Sequence, residues 1–113
     1  MTDCIFCQII KGATPADKIY ESDDFLVIKD IVPAAPVHLL IIPKRHIESL
    51  LQLQESDIEL AGRMLQYTSA IADKYNLTDK GYKVVVNTGD DGGQIVPHLH
   101  YHFLGGKKIP DSK

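Results

Sequence analysis

His98-Leu99-His100-Tyr101-His102-Phe103-Leu104 alternates imidazoles with apolar side chains. Neighbouring side chains of an extended chain point to opposite faces, so this period of two predicts a strand beginning at Pro97 or His98. Leu99, Tyr101 and Phe103 turn toward a core, and three of the five histidines share the other face at intervals of about 6.6 Å. A neutral imidazole, with a reference pKa of about 6.5, can attack phosphorus or move a proton. Three at this spacing also suit a metal ion, and a merely polar strand face is the third reading.

Working outward, residues 88–96 (TGDDGGQIV) hold three glycines and read as a loop. They follow an expected strand at 82–87 (YKVVVN), which enters from the turn Asp79-Lys80-Gly81. Between 55 and 75 the period changes: Ile58, Ala61, Leu65, Ala72 and Tyr75 mark one face of a long amphipathic helix that Asn76 ends. A short helical turn is expected at 46–51. Residues 37–42 (VHLLII), closed by Pro43, read as a buried central strand. The preceding stretch, 30–36, carries two prolines and is a loop. Strands at 18–21 and 25–29 flank Ser22-Asp23-Asp24 as a hairpin, and 4–10 (CIFCQII) forms a short helix ending at Gly12 and Pro15. Five strands, one long helix and a short N-terminal helix make an α+β domain over 1–113, with the long helix on one face of an antiparallel sheet. The exposed edge of so small a sheet invites closure by a second copy, so a homodimer is expected.

With 113 residues, 44% of them hydrophobic, the chain suits one modest core. Twelve basic against fifteen acidic residues give a net charge of -3, which argues against duplex nucleic acid as a partner. A local basic spot remains at Lys44, Arg45 and His46. Neither a signal peptide nor an apolar run of roughly eighteen residues is read, pointing to a cytoplasmic protein without a membrane span.

Other residues carry chemistry. Gly89, Gly92 and Gly93 lie just before the histidines, where successive N–H groups can form an anion nest; neither a GxxxxGK[ST] loop nor a GxGxxG fingerprint is present. Asn87 can hold that loop or touch a ligand. Asp30 can accept ribose hydroxyls or sit as a solvated turn residue, and His38 suits a core as well as a site. Cys4 and Cys7 fit metal binding, thiol exchange or core packing; a structural zinc needs two further ligands, for which His46 and one histidine of the strand are candidates.

Residues 87–106 (NTGDDGGQIVPHLHYHFLGG) resemble the signature of the histidine triad (HIT) family, in its nucleotide-binding phosphoramidase branch. CIFCQII at 4–10, DIVPAAPVH at 30–38 and LIIPKRHI at 40–47 are similar to family segments in family order, so the resemblance covers nearly the whole chain. It implies a HIT-like five-stranded antiparallel sheet with one long helix, dimerising so that the sheets join. It implies hydrolysis of nucleoside 5'-phosphoramidates or related adenylylated compounds, with His100 attacking the α-phosphorus to form a covalent nucleotidyl intermediate. His38, His98 and His102 would orient, polarise or relay protons. Asp30 would hold the ribose of a purine nucleotide, with Asn87, Gly92, Gly93, Gln94 and Ile95 around its phosphate and leaving side. Cys4, Cys7, His46 and His98 resemble the zinc ligands of a bacterial subgroup. Hydrolysis of dinucleoside polyphosphates, or non-catalytic nucleotide binding, are the alternatives.

Two departures bear on the leaving group. Ile95 stands where the branch usually has a serine, and Ile95 cannot donate a hydrogen bond. The residues after Gly106, Lys107 to Lys113, are shorter than the aromatic tail common in that branch. Leaving-group preference is therefore not carried over.

Overall fold

A computed structural model describes residues 4–110; Asp111 to Lys113 of the tail, like residues 1–3, lie outside it. The elements are α1 (Ile5–Ile10), β1 (Lys18–Glu21), β2 (Phe25–Lys29), β3 (Val37–Pro43), α2 (Ile58–Gln66), α3 (Thr68–Lys74), β4 (Tyr82–Val85) and β5 (Tyr101–Gly105). The five strands form one antiparallel sheet in the order β1-β2-β3-β5-β4. The α+β class, the single sheet, the long helix and the short N-terminal helix all agree with the expectation from sequence.

Period-two alternation sorts the sheet into two faces. Val27, Leu39, Ile41, Tyr101 and Phe103 face α2 and α3, meeting Met64, Ile71 and Ala72 in the larger core. Leu26, Ile28, Leu40 and Ile42 face the other way and are covered by Cys4, Phe6 and Ile9 of the α1 segment. β3 is thus buried on both sides, which explains why VHLLII shows no polar alternation. His38, Leu40 and His102 share the α1 face: Leu40 lies opposite His102, and His38 one diagonal step away.

The long helix begins with a 3-10 turn at Glu55–Asp57 and is interrupted once, at Tyr67. There the Thr68 hydroxyl donates to the Leu65 carbonyl at 2.7 Å, and Ala70 N–H bonds to Tyr67. A threonine hydroxyl bonding back into its own helix loosens the regular ladder at that point. Tyr67 meanwhile stacks on Tyr20 with ring centroids 4.2 Å apart, anchoring the helix to the hairpin edge. Asn76 ends α3 in the left-handed region at φ 59. A 3-10 turn at Leu50–Gln52 occupies part of the stretch where a short helical turn is expected.

The histidine strand is shorter than its alternation predicts. β5 starts at Tyr101, because continuing its register with β3 would set Leu99 opposite Pro43, which has no N–H to donate. The chain bends instead: His98 N–H turns back to the Val96 carbonyl and Leu99 N–H reaches the Ile47 carbonyl. His98 and His100 therefore stand on a bend, and only His102 is on the strand. The expected 82–87 strand likewise pairs only through Val85.

Candidate active site

The bend sends the three histidines to different places. His98 turns to the Cys4 and Cys7 side, while His100 and His102 line a cleft of about 570 Å³ whose wall also includes Phe6, Asp30, Asn87 and Ile95. His38 is not among the cleft-lining residues; it lies behind His102, its Nε2 3.0 Å from His102 Nδ1 and 3.3 Å from Asp30 Oδ2.

Backbone groups decide which nitrogen of each ring carries a proton. Ala34 N–H donates to His38 Nδ1 at 2.9 Å, so the proton of neutral His38 sits on Nε2 and is offered to His102 Nδ1. Accepting there leaves the proton of neutral His102 on its own Nε2. The His98 carbonyl lies 2.7 Å from His100 Nδ1; a carbonyl only accepts, so Nδ1 holds the proton and Nε2 keeps its lone pair. The Pro43 carbonyl, 2.9 Å from His98 Nε2, turns the lone pair of His98 Nδ1 toward the cysteines. One ring thus has a free nitrogen lone pair, and a neighbour 5.0 Å away, centroid to centroid, has an N–H. Such a pair can attack an electrophile and donate to the charge that develops on it.

Burial keeps two of these rings neutral. His102 is pushed down to about 4, first by burial and then by His100 and His38, with Asp30 opposing. His98 is likewise lowered to about 4 by burial, against the favourable Pro43 carbonyl.

The glycine loop holds itself together. Asn87 Nδ2 donates to the Gly92 carbonyl at 2.7 Å, and Gln94 Nε2 to the carbonyls of Glu48 and Val96, while Gln94 Oε1 accepts from Gly89 N–H. The N–H groups of Gly93 and Gln94 bond to Asp90 and Gly89. Those N–H groups shape the loop, and the anion nest expected there is not formed by them. Gly92 is needed for packing, since a Cβ would lie 2.2 Å from the Thr88 carbonyl oxygen. Gly93 lines the cleft at φ 82 and Gly92 does not. Asp30 also lines it, with Oδ1 accepting from Val32 N–H at 2.9 Å. Ile95 stands 91% exposed on its rim.

Cys4, Cys7, His46 and His98 bring four ligand atoms within 4.8 Å of one another. Cys4 Sγ and Cys7 Sγ lie 3.2 and 3.6 Å from His98 Nδ1, and Cys7 Sγ 3.2 Å from His46 Nδ1. A tetrahedral ion with metal–sulfur bonds of about 2.3 Å and metal–nitrogen bonds of about 2.0–2.1 Å separates S from N by about 3.6 Å. The set therefore fits a four-coordinate thiophilic metal. Without one, burial and the neighbouring Cys4 raise the Cys7 thiol, so metal uptake would release protons. Asp30, His38 and His102 also converge, but the Ala34 N–H at His38 Nδ1 keeps a proton on the very nitrogen a metal there would need.

Ala34 N–H and the Pro43 carbonyl leave no mark in a side-chain pattern and were not foreseen. Phe6 was also missed as a site residue. Its position between Cys4 and Cys7 is the only signal, and its ring stands edge-on to both His98 and His100, at 5.8 and 5.1 Å.

Comparison with known proteins shows the family and the fold. A family model described as "Scavenger mRNA decapping enzyme C-term binding" matches residues 3–111. An uncharacterized HIT-like protein of Chlamydia trachomatis serovar D is 50% identical over 102 residues, covering 90% of this chain and 91% of its own. Protein HitA of Neisseria gonorrhoeae is 46% identical, with 93% and 97% covered. Among solved structures, a histidine triad protein from Clostridium difficile superposes with a TM-score of 0.95 at 40% identity, covering 100% of this chain and 98% of that one. A HIT family hydrolase from Legionella pneumophila gives 0.93 at 40%, with 96% of each chain covered.

The depressed His102 makes a prediction about acid. The unfolded chain takes up this proton near pH 6.5, whereas the folded chain resists it until about 4. The unfolded state then binds more protons between those values, so stability falls as pH drops through that window. Urea unfolding between about pH 6.5 and about pH 5 should show this slope, and His102→Gln should make it shallower, leaving the share that the equally depressed His98 contributes. Equal slopes in the two proteins contradict a neutral His102.

Proposed function

Because this chain belongs to the histidine triad family of hydrolases, we propose that it hydrolyses nucleoside 5'-phosphoramidates or related adenylylated compounds. The observation that carries the reading is the 2.7 Å contact between His100 Nδ1 and the His98 carbonyl, which turns an imidazole lone pair into the cleft. His100 Nε2 attacks the α-phosphorus, the P–N bond breaks, and a nucleotidyl-His100 forms. Water then cleaves the N–P bond and releases the nucleoside monophosphate. Splitting the displacement in two lets a fixed imidazole replace a poorly placed water.

His102 Nε2–H donates to a phosphoryl oxygen as charge builds there, held at its other nitrogen by His38. Asp30 takes the ribose of the purine nucleotide, and Asn87 with Gly92, Gly93 and Gln94 keeps the phosphate side of the cleft in shape. Ile95 supplies no hydrogen-bond donor on that side, so the departing amine draws its proton from water. His98 supports His100 through its carbonyl, and the whole of 1–113 is read as one histidine triad domain. A cytoplasmic location, where thiols stay reduced, suits a chain that uses Cys4 and Cys7 as ligands.

We also infer zinc at Cys4, Cys7, His46 and His98, on the sulfur-to-nitrogen spacing above. Bound there, it supplies no chemistry to the reaction; it ties the start of α1 to the segments after β3 and before β5. A homodimer completes the proposal. β4 is an edge strand, and Ile58 and Leu65, two helical turns apart on α2, are 64% and 53% exposed.

Three measurements follow. Mass spectrometry of enzyme quenched with adenosine phosphoramidate should find an AMP adduct on His100, and His100→Ala should lose turnover by roughly a thousandfold or more while still binding AMP. AMP binding without turnover of any phosphoramidate would instead favour a nucleotide sensor. Metal analysis should return roughly one zinc per chain, absent from Cys4→Ser/Cys7→Ser; a stable metal-free wild type removes the zinc. Light scattering should give twice the 12.6 kDa chain mass, reduced to one by Leu65→Glu; a monomeric wild type ends the dimer.

A further inference from the structure

We propose that Cys4 and Cys7 are positioning residues for the nucleophile: by anchoring the His98 ring they fix the carbonyl that orients His100. The inference rests on the reading of His100 as nucleophile and adds a task to a cluster that otherwise only holds the fold together.

The carbonyl of His98 is not held by a β-ladder, because β5 begins three residues later. The His98 backbone sits on a bend secured by its own N–H to Val96 and by Leu99 N–H to Ile47. The remaining restraint comes through its side chain, which is completely buried and gripped at both ring nitrogens. Pro43 takes Nε2 at 2.9 Å and the cysteine sulfurs face Nδ1 at 3.2 and 3.6 Å. The same carbonyl meets His100 Nδ1 at 2.7 Å. Sulfur, imidazole, backbone carbonyl and attacking imidazole form one continuous chain of contacts.

A second contact runs in parallel. Cys4 caps α1, its Sγ accepting Cys7 N–H at 3.3 Å, and Phe6 lies between the two cysteines. The Phe6 ring meets His98 and His100 edge-on, at interplanar angles of 82° and 75°. Whatever holds the two sulfurs in place therefore also holds the apolar wall against His100.

A neutral imidazole free of such partners can carry its proton on either nitrogen, and only the Nδ1–H form leaves Nε2 able to attack. Release of the sulfurs loosens the His98 ring and lets the peptide that carries the carbonyl tilt about the Leu99 N–H bond to Ile47, so that the His100 ring rotates or exchanges tautomers. The bond-forming step slows, while Asp30 and the rest of the cleft go on binding nucleotide. Loss of partners around a metal-ligating histidine commonly costs 10–100-fold in activity, and an effect of roughly that size is expected on kcat with KM nearly unchanged.

Long-range proton–nitrogen NMR of imidazole-labelled protein tests this, comparing zinc-loaded wild type with Cys4→Ser/Cys7→Ser and with His46→Asn. His46 is exposed and meets the cluster through Cys7 and the His98 ring, so His46→Asn weakens the cluster without opening the core and serves if the double variant does not fold. The expected result is a single Nδ1–H form of His100 in the wild type, mixed forms in the variants, and a drop in kcat with AMP affinity retained. An unchanged His100 tautomer and unchanged kcat in a folded variant overturn the proposal. If the wild type turns over no phosphoramidate, the reading of function fails, and the tautomer spectra still decide the positioning.

Discussion

The pairing of β3 with β5 is the constraint on which the rest depends. Its register sets Leu40 against His102 and Ile41 against Tyr101. On one face it builds the core against α2 and α3; on the other it brings His38 within 3.0 Å of His102. A slip of one residue would exchange these faces, putting imidazoles into the main core and Phe103 into the cleft. Stability and site geometry are therefore fixed by the same set of backbone hydrogen bonds. The pairing also ends where it must: Pro43 lacks the donor that would extend it, and the freed residues 98–100 become the bend that separates the group of Cys4, Cys7, His46 and His98 from the cleft.

Along that bend the backbone selects tautomers. Ala34 N–H, the Pro43 carbonyl and the His98 carbonyl each face a ring nitrogen at 2.7–2.9 Å. Each contact permits one role at that nitrogen. Four imidazoles are thereby given four different duties although their intrinsic chemistry is identical: a lone pair toward sulfur, a lone pair toward the cleft, an N–H toward the cleft and an N–H toward another ring. Burial reinforces this by disfavouring the doubly protonated form of His98 and His102.

Much of this was legible in the sequence because it follows from periodicity. The alternation of Leu99, Tyr101 and Phe103 gave their core side correctly even where the strand itself does not extend. The unbroken VHLLII run indicated a strand covered on both faces, and Asn76 marked the end of the helix. Cys4, Cys7, His46 and His98 were named as a set and do converge. Periodicity failed where a tertiary contact outweighed a local one. Pro43, distant in sequence, shortens the histidine strand; Thr68 and Tyr67 interrupt the helix; and the glycine loop spends the N–H groups of Gly89, Gly93 and Gln94 on itself rather than on a cleft-facing nest.

The sequence by itself determined the elements, their buried sides and the chemical groups available, since these depend on side-chain type and on spacing of a few residues. Only the tertiary structure decided that the alternating histidines part company, with His98 turned to the cysteines and His100 and His102 to the cleft. It alone decided which nitrogen of each ring carries a proton. Those outcomes rest on hydrogen bonds to Pro43, Ala34 and the His98 carbonyl and on contact with Cys4, partners 2 to 94 residues away. A backbone carbonyl or amide has no signature in a sequence, and its effect exists only once folding has brought it to the ring.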